Sequence, residues 1–177
     1  TTTGKHGHES VLTPFRNGEA DILIGTQMIV KGHDFPNVTL VAALAADMSL
    51  YAGDYRSSER TFELLMQASG RAGRAEKAGE VVIQTYNPEE YSIQAVAGQD
   101  AEYFYENELA FRRLMKYPPY SQMAAILILS EEENEAKTLS EKLAENIHSV
   151  CGDAVTLIGP SKAGLSRAKD RYRYVLY

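Results

Sequence analysis

Two rhythms of apolar and polar positions divide the chain. Short continuous apolar runs occur at Asp21–Gly25, Val38–Leu44 and Glu80–Tyr86, which predict strands of a parallel sheet covered on both faces. Between them, Phe62, Leu65, Met66 and Ser69 recur at helical spacing, and Gly70 follows the last apolar turn, where a helix commonly stops. Val11, Leu12 and Phe15 predict a short helix that ends near Gly18. Strand, loop, strand, helix, loop, strand is the order of an open α/β sheet, whose ligands bind beyond the carboxyl ends of the strands. Residues 25–36 and 71–74 are both expected at that edge.

From Pro88 the pattern changes. A helix is predicted over Asp100–Lys116, carrying Phe104, Leu109, Phe111, Leu114 and Met115. Tyr117-Pro-Pro-Tyr120 breaks it and reads as a rigid elbow rather than a ligand for a proline-reading domain. A strand over Met123–Leu129, a helix over 132–148 and a strand over Val155–Ile158 come next. The helix has Ala136, Leu139, Leu143, Ala144 and Ile147 on one stripe. Gly159-Pro160 then turns the chain, and a last strand begins near Tyr172. That order resembles the opening of a split βαβ fold. The domain expectation is therefore 1–95 for the open sheet, 96–120 for the helix and elbow, and 121–177 for a small, truncated α+β domain.

With 177 residues and 44% apolar content, the chain has room for one large or two small domains with real cores. The single cysteine, Cys151, excludes a disulfide framework and is compatible with a reducing cytoplasm. No apolar run approaches membrane-spanning length and no cleavable signal leads the chain. A threonine start and an end inside an apparent strand suggest a piece of a longer protein. The net charge of −6 is the wrong sign for bulk attraction to nucleic acid. Charge is segregated, however. Glu131, Glu132, Glu133 and Glu135 form an acidic cluster, and Lys162, Arg167, Lys169, Arg171 and Arg173 a basic one.

Candidate chemistry concentrates in two stretches. Gln67-Ala-Ser-Gly-Arg-Ala-Gly-Arg74 places Arg71 and Arg74 at a helix end and in the turn after it. Gly70 and Gly73 are expected to shape that turn through backbone angles that other residues resist. Two guanidiniums on a rigid mount suit a triphosphate whose transition state spreads negative charge over its oxygens; a solvated arginine-rich turn is the plainer reading. The second stretch is Ile24-Gly-Thr-Gln-Met-Ile-Val-Lys-Gly-His-Asp-Phe-Pro36, a strand opening into a glycine-containing loop. Thr3-Gly4-Lys5 lacks the preceding glycine of a phosphate-binding loop. His6 and His8 have no acid cluster nearby, so both read as solvated.

Together the two stretches resemble motifs V and VI of superfamily 2 helicases. The longer strings GTQMIVKGHDFP, LVAALAADMSLYAGDYRSSER, QASGRAGR, GEVVIQTYNP and YPPY resemble, in order over most of the chain, the primosomal protein N′ family of replication-restart DNA helicases. The resemblance implies a RecA-like second helicase lobe followed by a small C-terminal domain. It implies Arg74 as arginine finger with Arg71 as its partner, and Gln67, Gly70, Gly32 and Asp34 near the nucleotide. For the tracked DNA strand it implies Gly25, Thr26, Gln27 and Lys31. Each has a plainer reading: an exposed helix glutamine for Gln67, a turn aspartate for Asp34, a structural threonine for Thr26. Asp47, Asp54, Arg56, Glu59 and Arg60 are family-like and are expected to form an ion network holding the motif loops.

No Gly-x-x-x-x-Gly-Lys-Ser/Thr loop and no acidic magnesium motif occur, so ATP and Mg²⁺ would be bound mainly by a first lobe outside this chain. The family's zinc-binding cysteines are also outside it. Residues 161–174 interleave Arg167, Lys169, Arg171 and Arg173 with tyrosines. They read either as a mobile loop that binds phosphates and stacks bases, or as a solvated hairpin whose tyrosines alternate into a sheet. The resemblance implies branched and single-stranded DNA, single-stranded DNA-binding protein and other primosome proteins as partners, no membrane, and a bacterial cytoplasm, nucleoid-associated. Two functional readings stand: part of an ATP-driven 3′-to-5′ DNA helicase, inactive alone, or a catalytically silent binding module with a degenerate helicase lobe.

Overall fold

A computed structural model describes residues 7–26, 35–73 and 78–177, the side chains of Gly7 and His8 excepted. The chain divides into two compact units, Thr1–Leu109 and Ala110–Tyr177. The first contains α1 (Gly7–Arg16), β1 (Leu40–Ala43), a 3₁₀ turn (Ala46–Ser49), α2 (Ser57–Ser69), β2 (Glu80–Ile83) and α3 (Tyr91–Gly98). Helix α4 (Ala101–Met115) belongs to it as far as Leu109. The second contains β3 (Ile126–Ser130), α5 (Glu133–Cys151), β4 (Ser161–Ala168) and β5 (Arg171–Leu176).

In the first unit β1 and β2 pair in parallel, with Val41 opposite Val81 and Ala43 opposite Ile83. The period-2 alternation of strand side chains turns these four toward the helices. Leu40 and Val82 stay exposed on the other face, so among the described residues the sheet is covered on one face and not on two. The core joins Ala46, Phe62, Leu65, Ile93, Ala95, Val96 and Phe104. Its centre is Phe62 stacked on Phe104, with centroids 4.1 Å apart. Tyr91 adds a third ring to that stack, and its hydroxyl donates to the buried carboxylate of Glu108. Burial first, and then Glu108, push the Tyr91 phenol well above its ordinary value.

Two sequence expectations are corrected here, and one helix appears that the sequence pattern did not predict. Asp21–Gly25 is not a strand, and Ile22 and Ile24 are 78% and 86% exposed. A strand requires a ladder partner for its backbone groups, and β1 pairs with β2 rather than with this segment. Helix α3 carries no periodic signal, because Ile93, Ala95 and Val96 sit on a short, largely apolar turn. Its readable mark is Glu90, whose carboxylate caps the helix by accepting from Ser92 N and Ile93 N. Val155–Ile158 forms no strand either. Only Ile158 pairs, exchanging both backbone bonds with Tyr177 at 2.8 and 2.9 Å.

The second unit is an antiparallel sheet in the order β3-β5-β4, with α5 packed on one face. Ile128, Tyr174 and Leu176 meet Ala136, Leu143 and Ala144 there. Residues 161–174 are thus a hairpin and not a mobile loop. Lys169 and Asp170 both take positive φ (50° and 59°), the two-residue turn that matches strand twist. Lys162 and Glu133 form an ion pair from β4 to the start of α5. Their mutual hydrogen bond raises the Lys162 ammonium and lowers the Glu133 carboxyl.

Candidate phosphate-facing site at the arginine segment

Helix α2 ends in ordinary geometry. Gly70 N donates to Met66 O at 3.0 Å and Arg71 N to Ala68 O at 3.0 Å. Gly70 has φ −66°, a right-handed value that any residue adopts, so its expected role in shaping the turn is not needed. Gly73 does require glycine: its φ is +69°. Its N–H donates to Val38 O at 3.1 Å, and Glu80 N donates to Thr39 O at 2.8 Å. The arginine segment is therefore tied beside the beginnings of β1 and β2. This corrects the expectation of the carboxyl edge as far as residues 71–73 are concerned: a segment that leads into a parallel strand meets the sheet at that strand's amino end.

Arg71 is half-buried on this mount. Its Nε is buried and finds no hydrogen-bond acceptor among the described residues. A buried unpaired donor costs about 1–3 kcal/mol, and a phosphate oxygen is a fitting acceptor for it. Gln67 is exposed on α2. Gly25 and Thr26 are exposed in irregular backbone, and among the described residues no hydrogen bond joins them to Arg71. Gln27, Lys31, Gly32, Asp34 and Arg74 lie outside the described residues, as do Thr3, Gly4, Lys5 and His6.

At the carboxyl edge a second polar construction holds the loops after the strands. Asp47, buried, accepts from the Thr85 hydroxyl and from Tyr86 N at 2.8 Å. The Thr85 hydroxyl chiefly, then the Tyr86 N–H, hold the Asp47 carboxyl below the usual carboxylate range. Ala46 N reaches Gln84 O at 3.0 Å. The expected ion network is real around Asp54, which pairs with Arg60 at 2.7 Å and Arg56 at 3.9 Å. The Arg56 N–H is the main influence lowering Asp54. Asp47 stands apart from that network: its partners are a hydroxyl and an amide.

The basic hairpin separates its side chains by strand alternation. Tyr172 and Tyr174 face α5, with Tyr174 buried, so Tyr174 offers no ring for base stacking. Arg171 and Arg173 face the opposite side, where they line a groove of about 520 Å³ with Lys169, Ala168 and Leu129. Arg167 is drawn elsewhere. Its guanidinium lies 5.1 Å from the Tyr172 ring centroid and 3.5 Å from Asp170. Among the described residues no group of three His, Cys, Asp or Glu residues is placed to hold a metal. No described helix is long and apolar enough to cross a membrane.

Residues 2–76 match the helicase conserved C-terminal domain family. Residues 113–177 match the primosomal protein N C-terminal domain family. Similar relatives named replication restart protein PriA include that of Bacillus subtilis, 52% identical over 98% of this chain and 22% of the relative. That of Synechocystis sp. is 42% identical over 99% of this chain and 21% of the relative. That of Chlamydia muridarum is 36% identical over 98% and 23%. The chain thus spans about a fifth of the length of the curated relatives it matches.

Proposed function

The chain belongs to the primosomal protein N′ family, and we propose that it is the second motor lobe, with part of the C-terminal domain, of an ATP-driven 3′-to-5′ DNA helicase that restarts stalled replication forks. The observation that carries this reading is Arg71: a guanidinium on a hydrogen-bonded helix end, its Nε buried without an acceptor among the described residues. Such a group, with Arg74 three residues on, suits the charge that develops on a departing phosphoryl group. The arginines orient and stabilise that charge from one side. Mg²⁺, bound mainly by the first lobe, would neutralise phosphate oxygens from the other. Gln67 on α2 and Gly70 just past its end, with Gly32 and Asp34, would complete this wall.

Gly25, Thr26, Gln27 and Lys31 are proposed to contact the tracked DNA strand through backbone N–H, hydroxyl and ammonium groups. Lys169, Arg171 and Arg173, with Arg167 at their margin, are proposed to contact phosphates of branched DNA. Single-stranded DNA-binding protein and other primosome proteins are the proposed protein partners, in a bacterial cytoplasm. The test is DNA-stimulated ATPase of the full-length parent, wild type against Arg74→Ala, with fork affinity in parallel. Turnover is expected to fall by about 10³-fold or more while fork affinity changes less than about twofold. Unchanged turnover removes Arg74 as finger, and a wild-type parent without ATPase leaves the silent binding module as the function.

A further inference from the structure

The backbones on either side of the arginine loop touch. A Cβ built on Gly79 would lie 2.1 Å from Gly73 N, 2.4 Å from the Ala72 carbonyl carbon and 2.5 Å from Gly73 Cα. A Cβ on Gly73 would lie 2.4 Å from Gly79 N. These distances are far inside the ~3.5 Å at which carbon atoms meet, and every obstructing atom is backbone, which cannot swing aside as a side-chain end does. Gly79 differs from Gly73 in kind: it has no positive φ, so nothing but this contact excludes a side chain there. The contact is bracketed by two sheet hydrogen bonds, Gly73 N to Val38 O and Glu80 N to Thr39 O. Widening it therefore strains the attachment of the segment Arg71–Gly73 to the start of β1.

We infer that Gly79, which lies outside the arginine motif, is a positioning residue for the ATP-site arginines: its bare Cα lets the two ends of the arginine loop close on each other. The inference rests on the reading of that segment as half of an ATP site. Gly79 touches no substrate itself. Its contribution is to set where Arg71 and Arg74 start from, and a displacement of about 1 Å in such a group costs about 10²-fold in rate.

The experiment is Gly79→Ala in the full-length parent, read as DNA-stimulated kcat, KM for ATP, fork affinity and melting temperature. The kcat is expected to fall about 10²-fold with fork affinity within about twofold of wild type. In an Arg71→Ala/Arg74→Ala background, single-turnover rates should show almost no further loss on adding Gly79→Ala, because the groups it positions are gone. A kcat within about twofold of wild type, or full additivity in that background, overturns the inference. Loss of activity in the arginine variants with none in Gly79→Ala overturns this inference alone. Wild-type activity in both arginine variants overturns the ATP-site reading as well. If Gly79→Ala does not fold, one glycine inserted between Ala78 and Gly79 releases the spacing without adding a Cβ. That variant should lose kcat at an unchanged melting temperature, and retained kcat refutes the role.

Discussion

Replacing Arg71 by alanine should separate activity from stability in opposite directions. In the parent enzyme the loss is one transition-state charge contact. At about 10³-fold in turnover, that loss is worth ~4 kcal/mol of barrier. In the folded chain the same substitution removes a buried Nε that has no acceptor among the described residues, relieving a cost of about 1–3 kcal/mol. Against that stands the packing of a half-buried stem, about 1 kcal/mol at ~0.8 kcal/mol per fully buried methylene. The balance lies between zero and a gain of ~2 kcal/mol. For a chain of this size each 1 kcal/mol moves the melting temperature by about 2–4 °C. Arg71→Ala should therefore melt at the wild-type temperature or a few degrees above it, while DNA-stimulated turnover collapses. Arg71→Lys should restore little, because an ammonium has no planar fork and hydrates strongly. Thermal melts followed by circular dichroism, paired with steady-state ATPase of the parent, measure both quantities. A melting temperature lowered by more than about 5 °C, with turnover falling only as the folded fraction falls, would show Arg71 to be a structural arginine.

Two further outcomes follow from the geometry. The Asp47 carboxyl is lowered in the folded protein, so its stabilisation is complete above the unfolded carboxylate value of ~4 and is lost as pH falls through the lower folded value. Asp47→Asn should flatten the fall of melting temperature below about pH 4; equal slopes in the two proteins would refute the Thr85–Tyr86 clamp as its cause. On the hairpin, Arg171→Ala with Arg173→Ala should weaken fork binding by the parent. It should also reduce the salt slope of log K by about 0.9 per lost duplex-phosphate contact. Arg167→Ala should change both less, since Tyr172 and Asp170 already engage that side chain; a larger effect from Arg167 would reverse the assignment of faces.

Where one element supplies all its own hydrogen bonds or a strong apolar stripe, local sequence was enough. Helices α2, α4 and α5 follow from helical spacing and strands β1, β2 and β3 from short apolar runs, and the arginine motif with Gly73 was visible as chemistry before any fold. The sequence alone also carried the family, because five ordered strings are far more specific than any one of them. What it could not carry were contacts between residues distant along the chain. Residues 21–25 have the composition of a strand, but pairing is a property of two segments, and β1 pairs with β2. Whether the tyrosines of 161–174 stack bases or fill a core depended on register, which the Ile128–Tyr174 pairing sets. Asp47 looked like a member of an ion network until Thr85 and Tyr86 were brought against it. Gly79 opens the string GEVVIQTYNP, but nothing in that string ties it to the arginines. Only the closure of the chain on itself, backbone against backbone at Gly73, makes the absence of a side chain there matter.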